Sequence, residues 1–137
     1  MNKDMNDKKK ILIVDDDAAL SAVYKLRLEL EGFAIQGVNN GEDAISAALS
    51  FKPDLILLDA MMPKISGFDT LDILRNTPET ANIHVIMLTA LSQAKDKERA
   101  KTLGADDYLV KSQVVINDVV ERIKFHLDML PTSNSNN

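Results

Sequence analysis

A chain of 137 residues with no cysteine and a formal net charge of −5 has room for one domain and one core, and it excludes a disulfide framework, thiol catalysis and a zinc–thiolate site. Its composition, 45 % hydrophobic and 27 % charged, is that of a globular chain, and no apolar run approaches the ~18 residues a membrane-spanning helix needs. The acidic balance argues against a direct nucleic-acid surface, and no apolar stretch of signal-peptide length opens the chain, so a cytoplasmic location without membrane insertion is expected.

Residues 1–10 are polar, carry Lys8, Lys9 and Lys10, and read as a flexible N-terminal tail. Residues 11–14, Ile-Leu-Ile-Val, form a continuous apolar run ending in Asp15, Asp16 and Asp17. Such a run reads as a strand buried on both faces. Ala18, Leu20, Val23, Tyr24, Leu26, Leu28 and Leu30 follow at helical spacing, with Gly32 placed to end the helix. Residues 33–38 alternate loosely as a second strand. Asn39-Asn40-Gly41 is a turn and cap, and the next helix points Ala44, Ile45, Ala48 and Leu49 inward.

Pro53 opens the central strand, in which Leu55-Ile56-Leu57-Leu58 runs straight into the carboxylate of Asp59. A loop through Pro63 leads to a third helix marked by Phe68, Leu71, Ile73 and Leu74. Residues 76–82 hold Pro78 and read as a surface loop. A fourth strand, residues 84–88, ends in Thr89-Ala90. Residues 92–103 are a highly charged helix closed by Gly104, with few large apolar residues to pack it, and so a mobile element. Residues 105–110 hold a short fifth strand followed by Lys111. The last helix starts between residues 112 and 117, with Val119, Val120, Ile123, Leu127 and Leu130 as its stripe and Pro131 as its stop. Residues 131–137 read as a flexible C-terminal tail.

Five alternations of strand and helix predict an α/β fold with a parallel sheet and helices on both faces. All C-terminal strand ends then lie at one edge, where open α/β sheets place their sites. Asp15, Asp16, Asp59, Thr89 and Lys111 all fall at or just beyond such ends. Singly, each has a plain explanation: an aspartate caps a helix, a threonine suits a strand, a lysine is a surface charge. Together they predict a pocket of carboxylates, a hydroxyl and an ammonium. Like charges about 4 Å apart repel by roughly 4 kcal/mol at an effective dielectric of 20, so the cluster calls for cations. Hard oxygen donors suit Mg²⁺. His84 and His126 read as an isolated strand residue and an isolated helix residue, leaving no histidine pair for zinc. A nucleophilic carboxylate in such a pocket fits phosphoryl transfer to Asp59. No glycine-rich phosphate loop accompanies it, which argues against ATP as donor.

These residues resemble the receiver domain of two-component response regulators. The likeness rests on residues 13–16, 53–63, Ser66-Gly67, Leu88-Thr89-Ala90, residues 104–108 and Lys111, and it spans nearly the whole chain. It implies a flavodoxin-like (βα)5, doubly wound five-stranded sheet in the order 2-1-3-4-5, with residues 11–130 as the receiver. It implies Asp59 as phosphoacceptor for a histidine kinase or histidine phosphotransfer protein. It implies Mg²⁺ on Asp16, Asp59, the Met61 carbonyl and, through water, Asp15. Thr89 and Tyr108 become a switch pair that reshapes the surface of the fourth helix, fifth strand and fifth helix for a downstream protein partner. A phosphorylation-dependent dimer is compatible with this, and the chain reads as a stand-alone phosphoacceptor rather than an enzyme.

In one place the chain departs from the family, which has proline after the lysine, joined by a cis peptide. Here Ser112 follows Lys111. A non-proline cis bond costs about 2.5–4 kcal/mol, so a trans bond and a rearranged loop through Ile116 are expected, and the aim of Lys111 at Asp59 is left open. Met61 and Leu91 occupy positions that in the family flank the path of the hydrolytic water. Neither can orient that water by hydrogen bonding, which predicts a slowly hydrolysing phosphoaspartate. Two other readings are a phosphate-independent pseudo-receiver and a small Mg²⁺-dependent phosphatase or nucleotide binder. The first would lack an acidic residue or the lysine, and none is lacking. The second needs an additional acid–base residue, and the short loops supply none.

Overall fold

The computed structural model describes residues 7–129; residues 1–6 and 130–137, with most of both expected tails and the helix stop at Leu130 and Pro131, lie outside them. In chain order the elements are β1 (Lys10–Val14), α1 (Ala18–Leu30), β2 (Ala34–Val38), α2 (Gly41–Phe51), β3 (Leu55–Leu58), α3 (Gly67–Arg75), β4 (His84–Thr89), α4 (Ala94–Leu103), β5 (Asp107–Val110) and α5 (Ile116–His126), with a 3-10 turn at Lys111–Gln113 before α5. The sheet order is β2-β1-β3-β4-β5, and every pairing is parallel. The expected flavodoxin-like doubly wound topology is thus present.

Strand parity divides the core. Leu12, Val14, Ile56, Leu58, Val85 and Met87 point to one face and pack on α2, α3 and Ala100 of α4. Ile11, Ile13, Leu55, Leu57, Ile86 and Leu88 point to the other and meet Tyr24 and Leu28 of α1 and Val119, Val120 and Ile123 of α5. With both faces covered, each central strand has no polar position to spare, which is why it reads as an unbroken apolar run.

Several expectations need correction. Lys10 belongs to β1 rather than to a tail: it pairs with Ala34, and its ammonium donates to the Phe51 carbonyl at 3.1 Å. On α1 only Tyr24 and Leu28 are buried, while Val23, Leu26 and Leu30 face outward; at 3.6 residues per turn they lie off the line Leu20–Tyr24–Leu28. Leu49 and Ile73 are exposed for the same reason. The two histidines, expected to be isolated, come together with ring centroids 6.0 Å apart, because β4 begins beside the end of α5.

Local chemistry sets the helix starts. Asp17, Asn40 and Ser66 accept hydrogen bonds from the amides of Leu20, Asp43 and Asp69, which satisfies first-turn donors. The start of α4 has no such side-chain cap, and Ala100 is its one buried residue. Its anchoring is correspondingly sparse.

Candidate functional site

Parallel register carries the chemistry to one edge. Val14 pairs with Leu58, Leu58 with Met87, and Thr89 with Val110. The next residues of the first and third strands, Asp15 and Asp59, therefore lie side by side, with the Asp59 amide donating to the Val14 carbonyl at 3.0 Å. Both carboxylates are buried, and Thr89 is fully so. Asp16 is exposed at the rim. One carboxylate oxygen from each of Asp15, Asp16 and Asp59 lies within 4.8 Å of the others.

Lys111 settles between two of them. Its Nζ lies 2.8 Å from Asp15 Oδ2 and 3.3 Å from Asp59 Oδ2. Peptide bonds among the described residues are all trans, Lys111–Ser112 included, as Ser112 predicts, and the 3-10 turn at Lys111–Gln113 still aims the ammonium inward. The question the sequence left open is answered: Lys111 reaches Asp59, though its shorter contact is to Asp15.

Backbone amides fix the acids in place. Met61 N–H donates to Asp59 Oδ1 at 3.1 Å and Asp17 N–H to Asp15 Oδ1 at 2.9 Å. Burial pushes the Asp59 carboxyl above its ordinary range; the Asp15 charge adds to this, and the Met61 amide, Lys111 and the Thr89 hydroxyl oppose it without cancelling it. Burial would lower the Lys111 ammonium, but the Asp15 hydrogen bond and the two carboxylate charges outweigh it and hold its pKa up. Asp59 is thus an electrostatically strained carboxylate, one cation short of balance.

That shortage bears on Mg²⁺. The donors are three hard carboxylate oxygens with one residue exposed at the rim, a set that suits a small ion keeping several waters. Asp16, Asp59 and Asp15 fit that ion, and it would supply the missing positive charge.

Tyr108 is partly buried, and its hydroxyl donates to the Leu91 carbonyl at 2.9 Å. Leu91 N–H lies 3.4 Å from Thr89 Oγ1. The turn after β4 therefore connects the two residues expected to act as a switch. Sequence reasoning did not find the Leu91 carbonyl or the Met61 and Asp17 amides, because main-chain groups leave no residue-type signature. It also gave no physical role to Gly67. A Cβ there would collide with the Asp59 carbonyl oxygen and with Ala60, and Gly67 N–H donates to the Ala60 carbonyl at 2.9 Å. Gly67→Ala is expected to destabilise the fold by about 3 kcal/mol, read as a lower urea midpoint.

The chain matches the family described as response regulator receiver domain over residues 11–124. It is 45% identical over 102 residues to the DNA-binding dual master transcriptional regulator RpaA of Synechocystis sp., covering 74% of this chain and 42% of that protein. It is 49% identical over 102 residues to the transcriptional regulatory protein CpxR of Escherichia coli, with the same coverages of 74% and 42%. The chain thus spans about half the length, or less, of these curated relatives. Among solved structures it is similar to a response regulator receiver domain protein from Methanospirillum hungatei, with TM-score 0.81, 30% identity and coverage of 88% of this chain and 94% of that one. A response regulator structure from Chloroflexus aurantiacus gives 0.82 at 30% identity, covering 88% and 98%.

Proposed function

The chain belongs to the response regulator receiver domain family, and from that premise we propose that Asp59 is a phosphoacceptor served by the phosphohistidine of a histidine kinase or histidine phosphotransfer protein. The observation that carries the reading is the position of Asp59: it ends the central strand beside a second buried carboxylate, with one Lys111 ammonium shared between them at 3.3 and 2.8 Å. A carboxylate oxygen of Asp59 attacks phosphorus, the bond from phosphorus to the imidazole nitrogen breaks, and an acyl phosphate forms. Lys111 stabilises negative charge on the transferring group. Asp16, Asp59 and the Met61 carbonyl, with Asp15 through water, would hold Mg²⁺, which would supply positive charge to neutralise the phosphoryl oxygens.

Thr89 and Tyr108 read the result. The phosphoryl group brings about −1.5 to −2 charges and new acceptor oxygens. Thr89 turns toward it, which alters the turn through Leu91 and the Tyr108 hydroxyl bonded there. Inverting a 1:99 population takes roughly 5.5 kcal/mol of differential stabilisation. The output surface is α4, β5 and α5, read by a downstream protein or a second copy.

Acetyl phosphate with Mg²⁺ tests the reading. Intact-mass analysis is expected to find one phosphoryl group on the wild type and none on Asp59→Ala; equal labelling of the two would defeat it. The lifetime of the adduct is a separate expectation. Met61 is about half exposed and Leu91 partly buried, and both are apolar. Met61→Asn or Leu91→Glu, which could orient water, should speed loss of the phosphoryl group about tenfold. Unchanged decay rates in both variants would sink the water-orientation argument alone.

A further inference from the structure

At the opposite end of the sheet from Asp59, the chain's two histidines form a second constellation. His84 is the first residue of β4 and His126 the last of α5. His84 shares strand parity with Ile86 and Leu88, which face α1 and α5, so it points toward the α5 side. The ring centroids are 6.0 Å apart and the planes tilt by 38°. A carboxylate stands behind each ring. Asp107 Oδ2 is 2.9 Å from His126 Nε2, and Asp106 Oδ2 is 3.7 Å from His84 Nδ1.

Those carboxylates are themselves held. Asp106 accepts from the Val85 amide and Arg75, and Asp107 from Arg122 and the Tyr108 amide. His84 Nε2 and His126 Nδ1 have no hydrogen-bond partner among the described residues. Both rings line an open cleft of about 400 Å³, together with Asp54, Glu79 and Asp128 as acids and Lys9 as the one lysine. The cleft lies at the carboxyl end of α5, where helix carbonyls favour positive charge.

We propose that this cleft is a second cation site, separate from the acidic centre, which takes a divalent transition ion such as Zn²⁺ or Ni²⁺ on the two imidazoles. Imidazole pairs suit these ions and not Mg²⁺. A carboxylate hydrogen-bonded to the other ring nitrogen is the usual support of a metal-binding histidine, and Asp107 stands so behind His126. Two imidazoles on one ion, with metal–nitrogen bonds of about 2.0–2.1 Å, bring ring centroids to roughly 5–6 Å, close to the spacing present. The acidic centre is the preformed three-residue cluster among the described residues, so here water or a swing of Glu79 or Asp128 completes the coordination.

The experiment uses the untagged 137-residue chain in excess Mg²⁺, titrated with zinc or nickel chloride by calorimetry and by amide NMR. One ion is expected to bind, with shifts centred on His84, Asp107 and His126, and Asp59→Asn should bind it equally well. His84→Gln with His126→Gln should lose the site. Asp107→Asn should weaken binding about 10-fold or more while leaving both ligands in place. Should the double variant fold poorly, His84→Ala alone decides, because that side chain is 43% exposed. No binding, shifts confined to the acidic centre, or binding unchanged without the histidines would overturn the proposal.

Discussion

An Asp59→Asn chain is expected to accept no phosphoryl group and yet to be more stable than the wild type in metal-free buffer at neutral pH. The two outcomes have one cause. Burial and the neighbouring Asp15 charge raise the Asp59 pKa in the fold, so folding favours the protonated carboxyl. Between the ordinary carboxylate range and the raised folded value, the native state binds more protons than the unfolded one. Stability therefore falls as pH rises through that window, and the full penalty stands above it. Asparagine keeps the shape and discards the charge. A gain of about 1 kcal/mol is expected at pH 7, seen as a melting point about 4 °C higher, and it should vanish once acid protonates the wild-type group. Mg²⁺ should reverse the order, since binding at ~100 times the dissociation constant adds about 2.7 kcal/mol to the chain that keeps its carboxylate. A wild type as stable as Asp59→Asn across the pH range would show that Asp59 carries no strain.

Lys111→Met should damage both the stability of the site and its chemistry. It removes the ammonium shared by Asp15 and Asp59 and leaves two buried acids facing one another. Breaking a fully buried pair costs about 3–5 kcal/mol. The lysine side chain is 23% exposed, and water screens part of the loss, so a fall of about 2 kcal/mol is expected in urea melts. The rate of phosphorylation by acetyl phosphate should fall further, by roughly 100-fold, as when one preorganised charge donor is lost from a reaction centre. Lys111→Arg separates the two effects, because it keeps the charge and changes its reach. If Lys111→Met is phosphorylated at the wild-type rate, the lysine serves structure alone.

How much of this was legible beforehand follows from where the information sits. The five strands and the central position of Asp59 could be read because a strand buried on both faces has no choice but to be apolar, as Leu55 to Leu58 are. The convergence of Asp15, Asp59, Thr89 and Lys111 followed from parallel topology alone. The substitution of Ser112 for proline correctly implied a trans peptide, but not where the ammonium would go, since a 3-10 turn restores the aim that the changed peptide was expected to disturb. The outward side of α1 was misread because seven apolar positions overfill one face, and sequence does not say which line wins. The histidine pair was invisible for another reason: His84 and His126 meet only through the packing of α5 across the sheet, a contact with no periodic trace. Main-chain donors such as the Met61 amide belong to the same class of silent features.

The sparse anchoring of α4 has a consequence for how such a chain can change over generations. Ala100 is the only fully buried residue of this helix, and Leu103 packs partly buried against the core, so most other positions on it can be exchanged without opening a cavity or stranding a polar group. The strands that hold Asp59 have no such latitude. On the proposal that α4 forms part of the output surface, a lineage can therefore acquire a new listener by rewriting this helix and leave the chemistry of the pocket untouched.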